Sequence, residues 1–186
     1  MRELLFVVDS LMVLVVGAFL LRLLFQLLRG DFRNPLLRAI VRLTDPLVMP
    51  LRRVLPPIGR VDTASVVAVV LTQLVWTGLD ETIQRGRLPS IGMLLLVSAA
   101  RLLDTTLLVF LVALILYAVL SWVTPEAYNP ASRLLGSLVE PVLRPFRRAI
   151  PSIGGLDWSV FIACLVIILL RMILNDRIVP ALLGGF

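Results

Sequence analysis

The stretch TDPLVMPLRRVLPPIGRVD, residues 44–62, lies between two long apolar runs and contains four prolines and three arginines. A core element of a soluble protein does not tolerate that many prolines, and a disordered linker is not this apolar. A second copy, VEPVLRPFRRAIPSIGGLD, occupies residues 139–157 at an offset of 95 residues. A segment that occurs twice, each time between apolar runs, indicates a structural unit of the fold.

The duplication extends beyond the quoted stretch. An ungapped comparison of residues 34–62 with 129–157 gives 12 identities in 29 positions, and Asp9 and Asp104 are also 95 residues apart. The sequence therefore predicts two repeats, residues 1–90 and 91–186. The motif positions that we interpret as structural are Asn34, Pro35, Asp45, Pro46, Pro50, Pro56, Gly59 and Asp62 in the first copy, and Asn129, Pro130, Glu140, Pro141, Pro145, Pro151, Gly154 and Asp157 in the second.

The composition indicates a membrane protein. The chain has 186 residues, of which 59% are hydrophobic, and a mean hydropathy of +1.00, whereas a soluble domain is about 45–50% apolar. The excess is concentrated in four runs, each long enough to cross a hydrocarbon core of about 30 Å as a helix. These predicted spans are residues 4–28, 61–79, 102–123 and 156–174, with residues 91–97 extending the third towards its start.

The predicted fold is an all-α membrane protein with four transmembrane helices in two parallel repeats. Each repeat consists of a span, an amphipathic elbow rich in proline and arginine, and a second span, with the elbows at residues 34–60 and 129–155. Two spans return the chain to its starting side, so both repeats insert with the same orientation. We therefore expect the two halves to be related by an axis near the membrane normal.

The basic residues cluster beside the spans. The net charge is +6, and every basic residue is an arginine. The pI of about 11.1 is compatible with nucleic-acid binding, but arginines beside apolar spans fit the positive-inside rule, so we predict no nucleic-acid partner. Residues 29–60 carry seven arginines, residues 124–155 carry four and the middle connection carries three. This asymmetry predicts a bacterial inner-membrane protein with cytoplasmic elbows and both termini outside.

The residues that most enzymes use are scarce. The chain has no histidine, the commonest general base and metal ligand, and Cys164 is its only cysteine. The sequence therefore predicts no catalytic residue, cofactor-binding residue or metal site, and a protein that is not an enzyme.

The elbow pattern predicts a kinked helix at the membrane surface. We expect short helices over residues 36–43 and 131–139, ended by Pro46 and Pro141, and N-caps at Asp62 and Asp157. Asp45 and Glu140 are expected to cap helices or to pair with arginines. The candidate lipid or partner contacts are Arg38, Arg52, Arg53, Arg133, Arg147 and Arg148. The alternative is that these arginines only set the topology and contact lipid nonspecifically.

Ionisable residues within the predicted spans form a second set of candidates. They are Asp9, Arg22, Asp104 and Arg171. Such residues usually face the bundle interior or a partner. One interpretation is that Asp104 pairs with Arg101 or Arg171, or that these side chains extend to the outer surface, while Arg22 extends towards the elbow surface. The other is an ion pathway lined by Asp9 and Asp104.

The repeated motif, NP…TDPLVMPLRRVLPPIG…D and NP…VEPVLRPFRRAIPSIGG.DWS, resembles that of the YggT family of small integral membrane proteins. The resemblance implies links to osmotic tolerance and potassium uptake, as in bacterial members, or to membrane organisation, division and b-type cytochrome maturation, as in cyanobacterial and plastid members. No haem ligand carries over, because the chain has no histidine.

These observations favour a non-enzymatic membrane scaffold. Its expected partners are the lipid bilayer, through anionic headgroups, and a second copy or another membrane protein. The alternative function is a component of a channel or transporter for potassium or another small solute.

Overall fold

The computed structural model describes residues 2–28, 30, 32–58, 61–86, 88–123, 130–149 and 157–184. These residues form seven α-helices and one π-helical turn, with a single isolated β-bridge between Ile58 and Val61, which confirms the predicted all-α fold. The helices are α1 (Arg2–Leu27), α2 (Pro35–Val54), α3 (Thr63–Arg85), α4 (Ile91–Val123), α5 (Pro130–Ala149), α6 (Trp158–Ile173) and α7 (Val179–Gly184), and the π-helical turn is Leu174–Ile178.

Four stretches of helix in the described residues are long and apolar enough to cross a membrane, as predicted. They are Leu5–Leu27, Thr63–Arg85, Ile91–Ser121 and Trp158–Leu182. The second and fourth continue beyond the sequence prediction, which ended each span where polar residues begin. Helix α3 continues through Asp80 and Glu81 because both carboxylates are buried in ion pairs with Arg101 of α4, and it ends at Gly86, whose φ of 68° is left-handed.

The helix boundaries repeat with the same offset as the sequence motif. Helix α2 runs from Pro35 to Val54 and α5 from Pro130 to Ala149, a shift of 95 residues at both ends. The next helices begin at Thr63 and Trp158, again 95 residues apart. The duplicated sequence therefore forms a duplicated structural unit of span, elbow helix and span.

The elbow helices are continuous, which corrects the predicted breaks at Pro46 and Pro141. Each elbow forms one helix of 20 residues with two prolines beyond its first turn, Pro46 and Pro50 in α2 and Pro141 and Pro145 in α5. A proline within a helix removes one backbone hydrogen bond and crowds the preceding turn. All four prolines are exposed and each pair is four residues apart, so the freed carbonyls lie on an outer face, where water or headgroups can satisfy them.

Two apolar clusters form the interior. One joins the elbow helices to α1, α4 and α6, and includes Phe25, Leu37, Leu138, Leu114 and Ile167. The other joins α1, α2 and α3, and includes Val16, Phe19, Leu20, Val48 and Ala68. The elbow helices thus pack at one end of the bundle, where α1 and α4 finish and where α3 and α6 begin.

Candidate functional site

Helix α2 has three distinct faces. Successive residues are about 100° apart around a helix. An apolar stripe is exposed, with Leu43 76% and Val54 78% accessible. A second face, about 100° away, is buried against the bundle, and the exposed arginines lie about 100–160° from the stripe on the other side of the helix. The stripe consists of Leu36, Leu43, Leu47 and Val54, the buried face of Leu37, Thr44 and Val48, and the arginine face of Arg38, Arg42 and Arg53.

Helix α5 is covered more extensively than α2. Leu138, the counterpart of the exposed Leu43, is fully buried, because it packs with Phe25 and Leu111 in the larger apolar cluster. Arg133, Arg144 and Arg148 remain exposed. The two elbows therefore share an exposed arginine face, whereas only α2 presents a wide apolar stripe among the described residues.

Each elbow helix is tied to the span that follows it by an ion pair. Arg52 donates from Nε to Asp62 Oδ2 over 3.0 Å and makes a second bond from Nη2. At the equivalent position, Arg147 donates from Nε to Asp157 Oδ2 over 2.9 Å. The arginine and aspartate are ten residues apart in both repeats. Arg52 and Arg147, which we predicted as lipid or partner contacts, thus hold the elbow ends against α3 and α6.

Asp62 and Asp157 were both predicted to cap the helix that follows, but only one of the two side chains does so. Asp157 accepts the backbone N–H of Ser159, whereas the Asp62 side chain makes no capping bond to the backbone. Asp62 is buried, and its carboxylate accepts hydrogen bonds from Arg52 and from Ser65 Oγ. Asp62 therefore stands at the N-cap position without its side chain acting as a cap, which corrects the expectation for this residue.

The environment of these aspartates lowers their pKa. Burial raises the pKa of Asp62, but hydrogen bonds from Arg52 and Ser65 outweigh that effect and leave the pKa below its ordinary value. Burial also raises the pKa of Asp157, and bonds from Ser159 and Arg147 reverse it in the same way. A carboxylate with a lowered folded-state pKa stabilises the fold above its unfolded pKa of about 3.9, and that contribution is lost as the pH falls through the folded value.

Asparagine at position 62 is therefore expected to destabilise the protein by about 1–2 kcal/mol at neutral pH, because a charge-assisted bond becomes a neutral one. Below about pH 4 the difference from wild type should begin to shrink, because the unfolded state takes up the proton there, and it should vanish as the pH falls through the lowered folded-state pKa of Asp62. Unfolding in micelles as a function of pH measures both effects. The matched control, Asp157→Asn, should cost less, because this pair is more exposed. Equal losses at the two positions, unaffected by pH, would contradict this account.

A second ion pair joins α1 to the first elbow helix only. Arg22 is 2% exposed and donates from Nη1 to Asp45 Oδ1 over 2.8 Å and to Thr44 Oγ1 over 2.7 Å. The counterpart of Arg22 in the second repeat is Tyr117. Glu140, the counterpart of Asp45, instead pairs with Arg144 and Arg147 of its own helix. The elbows are thus anchored differently despite their common sequence motif.

The opposite end of the bundle contains a polar cavity of about 350 Å³. It lies between α1, α3, α4 and the π-helical turn. Most of its polar lining comes from side chains of α3 and α4. These polar lining residues include Asp9, Gln73, Trp76, Asp80, Arg101 and Asp104.

The ionisable groups of this polar cavity form two arrangements. Arg101 binds Asp80 over 2.7 Å and Glu81 over 2.9 Å. Asp104 accepts from Arg171 Nε over 2.8 Å and from Asn175 Nδ2 over 2.8 Å. The structure therefore places Asp104 and Arg171 together, one of the pairings that the sequence left open.

Asp9 has a different partner from its repeat counterpart Asp104. It accepts a hydrogen bond of 2.9 Å from the indole Nε1 of Trp76. Trp76 is the counterpart of Arg171, and Asp80 is the counterpart of Asn175. Both contacts, Asp9 with Trp76 and Asp104 with Arg171, join residues 67 positions apart. The same geometry in the two repeats thus contains a neutral donor in one and a cation in the other.

Apolar side chains separate the polar cavity from the elbow end. Val16 forms part of the cavity lining, and below it Phe19, Leu20 and Ala68 fill the space between α1 and α3. Arg22 lies on the far side of this cluster, where it binds the first elbow helix. In the described part of the chain, the polar groups at the two ends are therefore not joined through the α1–α3 interface.

The remaining predicted residues fall into three groups. Asn34 accepts the N–H of Leu36, and its Nδ2 donates to the carbonyl of Pro130 over 2.7 Å, which links the two elbow helices. Pro35 and Pro130 begin their helices, and the carbonyl of Pro56 accepts from Thr63 Oγ1. The motif positions outside the described residues are Gly59, Asn129, Pro151 and Gly154.

Sequence reasoning missed most of the polar cavity. Gln73, Trp76 and Asp80 were not among the candidates, although each is less than 10% exposed and lies within α3. The sequence feature that could have identified Trp76 is its separation of 67 residues from Asp9, which equals the separation of Arg171 from Asp104. That feature is hard to read because tryptophan and arginine differ in chemistry.

A family model described as CCB3/YggT matches the chain over residues 1–83 and 96–178. The starts and the ends of the two matched segments are each 95 residues apart, as are the structural repeats. No solved structure matches the chain.

Curated relatives match over nearly the whole length. An uncharacterised protein of Pseudomonas aeruginosa is 42% identical over 170 residues, which cover 91% of this chain and 85% of that protein. The uncharacterised protein YggT of Escherichia coli K12 is 35% identical, with 92% and 89% covered. A protein of Vibrio alginolyticus is 32% identical, with 97% of each chain covered.

Proposed function

The chain belongs to the CCB3/YggT family, and we propose that it is a non-enzymatic scaffold of the bacterial inner membrane. In this proposal the elbow helices α2 and α5 lie at the cytoplasmic surface, bind anionic lipid headgroups and offer a surface for a membrane-protein partner. The resemblance to family members linked with osmotic tolerance and membrane organisation gives the physiological setting that we propose.

The single observation that carries this proposal is the arrangement of faces on α2. Its apolar stripe, its arginine face and the face covered by the bundle lie about 100–130° apart around the helix. A helix with this arrangement is most stable when it lies flat in the interface, with leucines among acyl chains and guanidinium groups at phosphates. The Arg22–Asp45 and Arg52–Asp62 ion pairs fix α2 against α1 and the start of α3, which supports this proposal.

The arginines best placed for lipid contact are Arg53 and Arg148. They are equivalent in the two repeats, both are exposed, and neither has an ion-pair partner among the described residues. Their neighbours Arg52 and Arg147 are already engaged by Asp62 and Asp157. A basic residue near an anionic surface contributes about 1 kcal/mol. Arg53 and Arg148 are therefore the positions at which lipid binding can be tested without loosening an elbow.

We expect Arg53→Gln and Arg148→Gln each to lower the preference for phosphatidylglycerol over phosphatidylcholine about fivefold, the equivalent of about 1 kcal/mol. Native mass spectrometry of protein purified with mixed lipids measures the ratio of the two lipids retained. Arg177→Gln is the matched control, because it removes an exposed arginine from the opposite end. An unchanged lipid ratio in both elbow variants would remove the lipid-binding part of the proposal.

A second candidate function is a component for uptake of potassium or another small solute. The polar cavity favours it, because Asp9 and Asp104 both line it. The apolar cluster between the polar cavity and Arg22 argues against conduction through a single chain. Flux measured in liposomes separates the candidates: selective flux that is lost in Asp9→Asn would support transport, whereas no flux with intact partner capture would support the scaffold.

A further inference from the structure

We propose that the polar cavity binds a small organic ammonium group, held by the Asp9 carboxylate beside Trp76. This site lies at the end of the bundle opposite the elbows, so it does not depend on their proposed role. The ammonium group can belong to a free amine or to an ethanolamine lipid headgroup, since the two share the same chemistry.

One carboxylate of the polar cavity has no cationic partner among the described residues. Asp9, Asp80, Asp104 and Arg101 line the cavity, and Glu81, Arg85 and Arg171 lie behind this lining as ion-pair partners. Asp80 and Glu81 share Arg101, Glu81 also binds Arg85, and Asp104 binds Arg171. Asp9 has no arginine partner among the described residues, and its bond from Trp76 is neutral. The set therefore has a net charge of −1, centred on Asp9.

The second repeat shows which kind of group completes this arrangement. Asp104, the counterpart of Asp9, is neutralised by Arg171, which stands where the first repeat has Trp76. Asp9 lies four residues inside the span that begins at Leu5, about 6 Å along the helix axis. A carboxylate at that depth needs a cation or water. An external cation in the first repeat would take the role that Arg171 has in the second.

The lining of the polar cavity selects an organic ammonium ion over a bare metal ion. Gln73 is 4% exposed and lines the cavity; its Nε2 donates to Thr77, while its Oε1 accepts no bond from the described residues. Trp76 supplies an aromatic ring, the best partner for an alkylammonium ion. No three acidic, histidine or cysteine side chains in the described residues are grouped to hold a metal ion. The volume of about 350 Å³ suits a small organic group better than a single ion.

The test is binding of tetramethylammonium and ethanolamine to the full chain in phosphatidylglycerol nanodiscs, measured by calorimetry at constant ionic strength. We expect Asp9→Asn to weaken both by about tenfold or more, because it removes a charged partner. Trp76→Arg should abolish binding, since the new guanidinium would pair with Asp9 as Arg171 pairs with Asp104. Asp176→Asn, an exposed acidic residue at the same end, is the matched control and should bind normally.

Two further binding measurements identify the ligand. If ethanolamine lipid added to the nanodiscs weakens binding of the free amines, the natural ligand is the headgroup; if it has no effect, the ligand is a free amine. Uncharged tert-butanol, of similar size to tetramethylammonium, should not bind. Unchanged affinity in Asp9→Asn, equal binding of tert-butanol, or equal displacement by potassium chloride would each overturn the proposal. If Trp76→Arg does not fold, Asp9→Asn, which keeps a polar side chain of the same shape, decides the outcome.

Discussion

Replacing Asp45 with alanine is expected to destabilise the protein by about 3 kcal/mol, because it leaves the Arg22 guanidinium buried without its counter-charge. Arg22 is 2% exposed, and its remaining acceptors, Thr44 Oγ1 and the carbonyl of Val41, are neutral. Those two acceptors place the expected loss at the lower end of the range for broken buried pairs. The free energy of unfolding, measured by denaturant titration in mixed micelles, tests this expectation.

The repeat supplies the control for this experiment. Glu140 occupies the same position in the second elbow, but its partners Arg144 and Arg147 are exposed, so Glu140→Ala should cost less than about 1 kcal/mol. A double variant, Arg22→Met with Asp45→Leu, should regain most of the lost stability, because apolar side chains of similar size often replace a buried pair at little cost. Similar losses for Asp45→Ala and Glu140→Ala would show that Arg22 is not the cause.

The architecture could be predicted because it depends on periodic properties of the sequence. The length and apolarity of the four runs determine the number of spans, and the offset of 95 residues determines the two units. The predicted breaks at Pro46 and Pro141 were wrong because the cost of a proline depends on its surroundings. On an exposed face the freed carbonyl is solvated, and the neighbouring buried face, with Leu37 and Val48, holds the helix together.

The contacts within the sites could be predicted only in part. The arginine and aspartate that form each elbow ion pair are ten residues apart in both repeats, a separation that fits no single helix face and that becomes meaningful only once the chain turns between α2 and α3. The polar cavity depends on contacts such as Asp9 with Trp76, whose separation of 67 residues reflects how the helices pack. Sequence patterns identify amphipathic faces, but partner choice across a bundle depends on the packing of all helices.

Cysteines placed at Arg42 and Ser137 are expected to resist membrane-impermeant maleimide in intact cells, whereas one at Leu88 should react fully, all in a Cys164→Ala background. Arg42 and Ser137 lie on exposed faces of the two elbow helices, and Leu88 is 83% exposed at the opposite end.

The loop between α3 and α4 spans only residues 86–90, and Arg101 lies within α4 in an ion pair. The arginines of the elbow end therefore outnumber those of that loop, and the positive-inside rule predicts cytoplasmic elbows. Neither elbow can cross the bilayer, because each arginine at the bilayer centre costs about 2.5–3.5 kcal/mol or more.

Permeabilised cells, in which all three cysteines should react, are the control for the labelling experiment. Labelling of positions 42 and 137 with protection of 88 in intact cells would invert the topology, and opposite results at 42 and 137 would exclude parallel repeats.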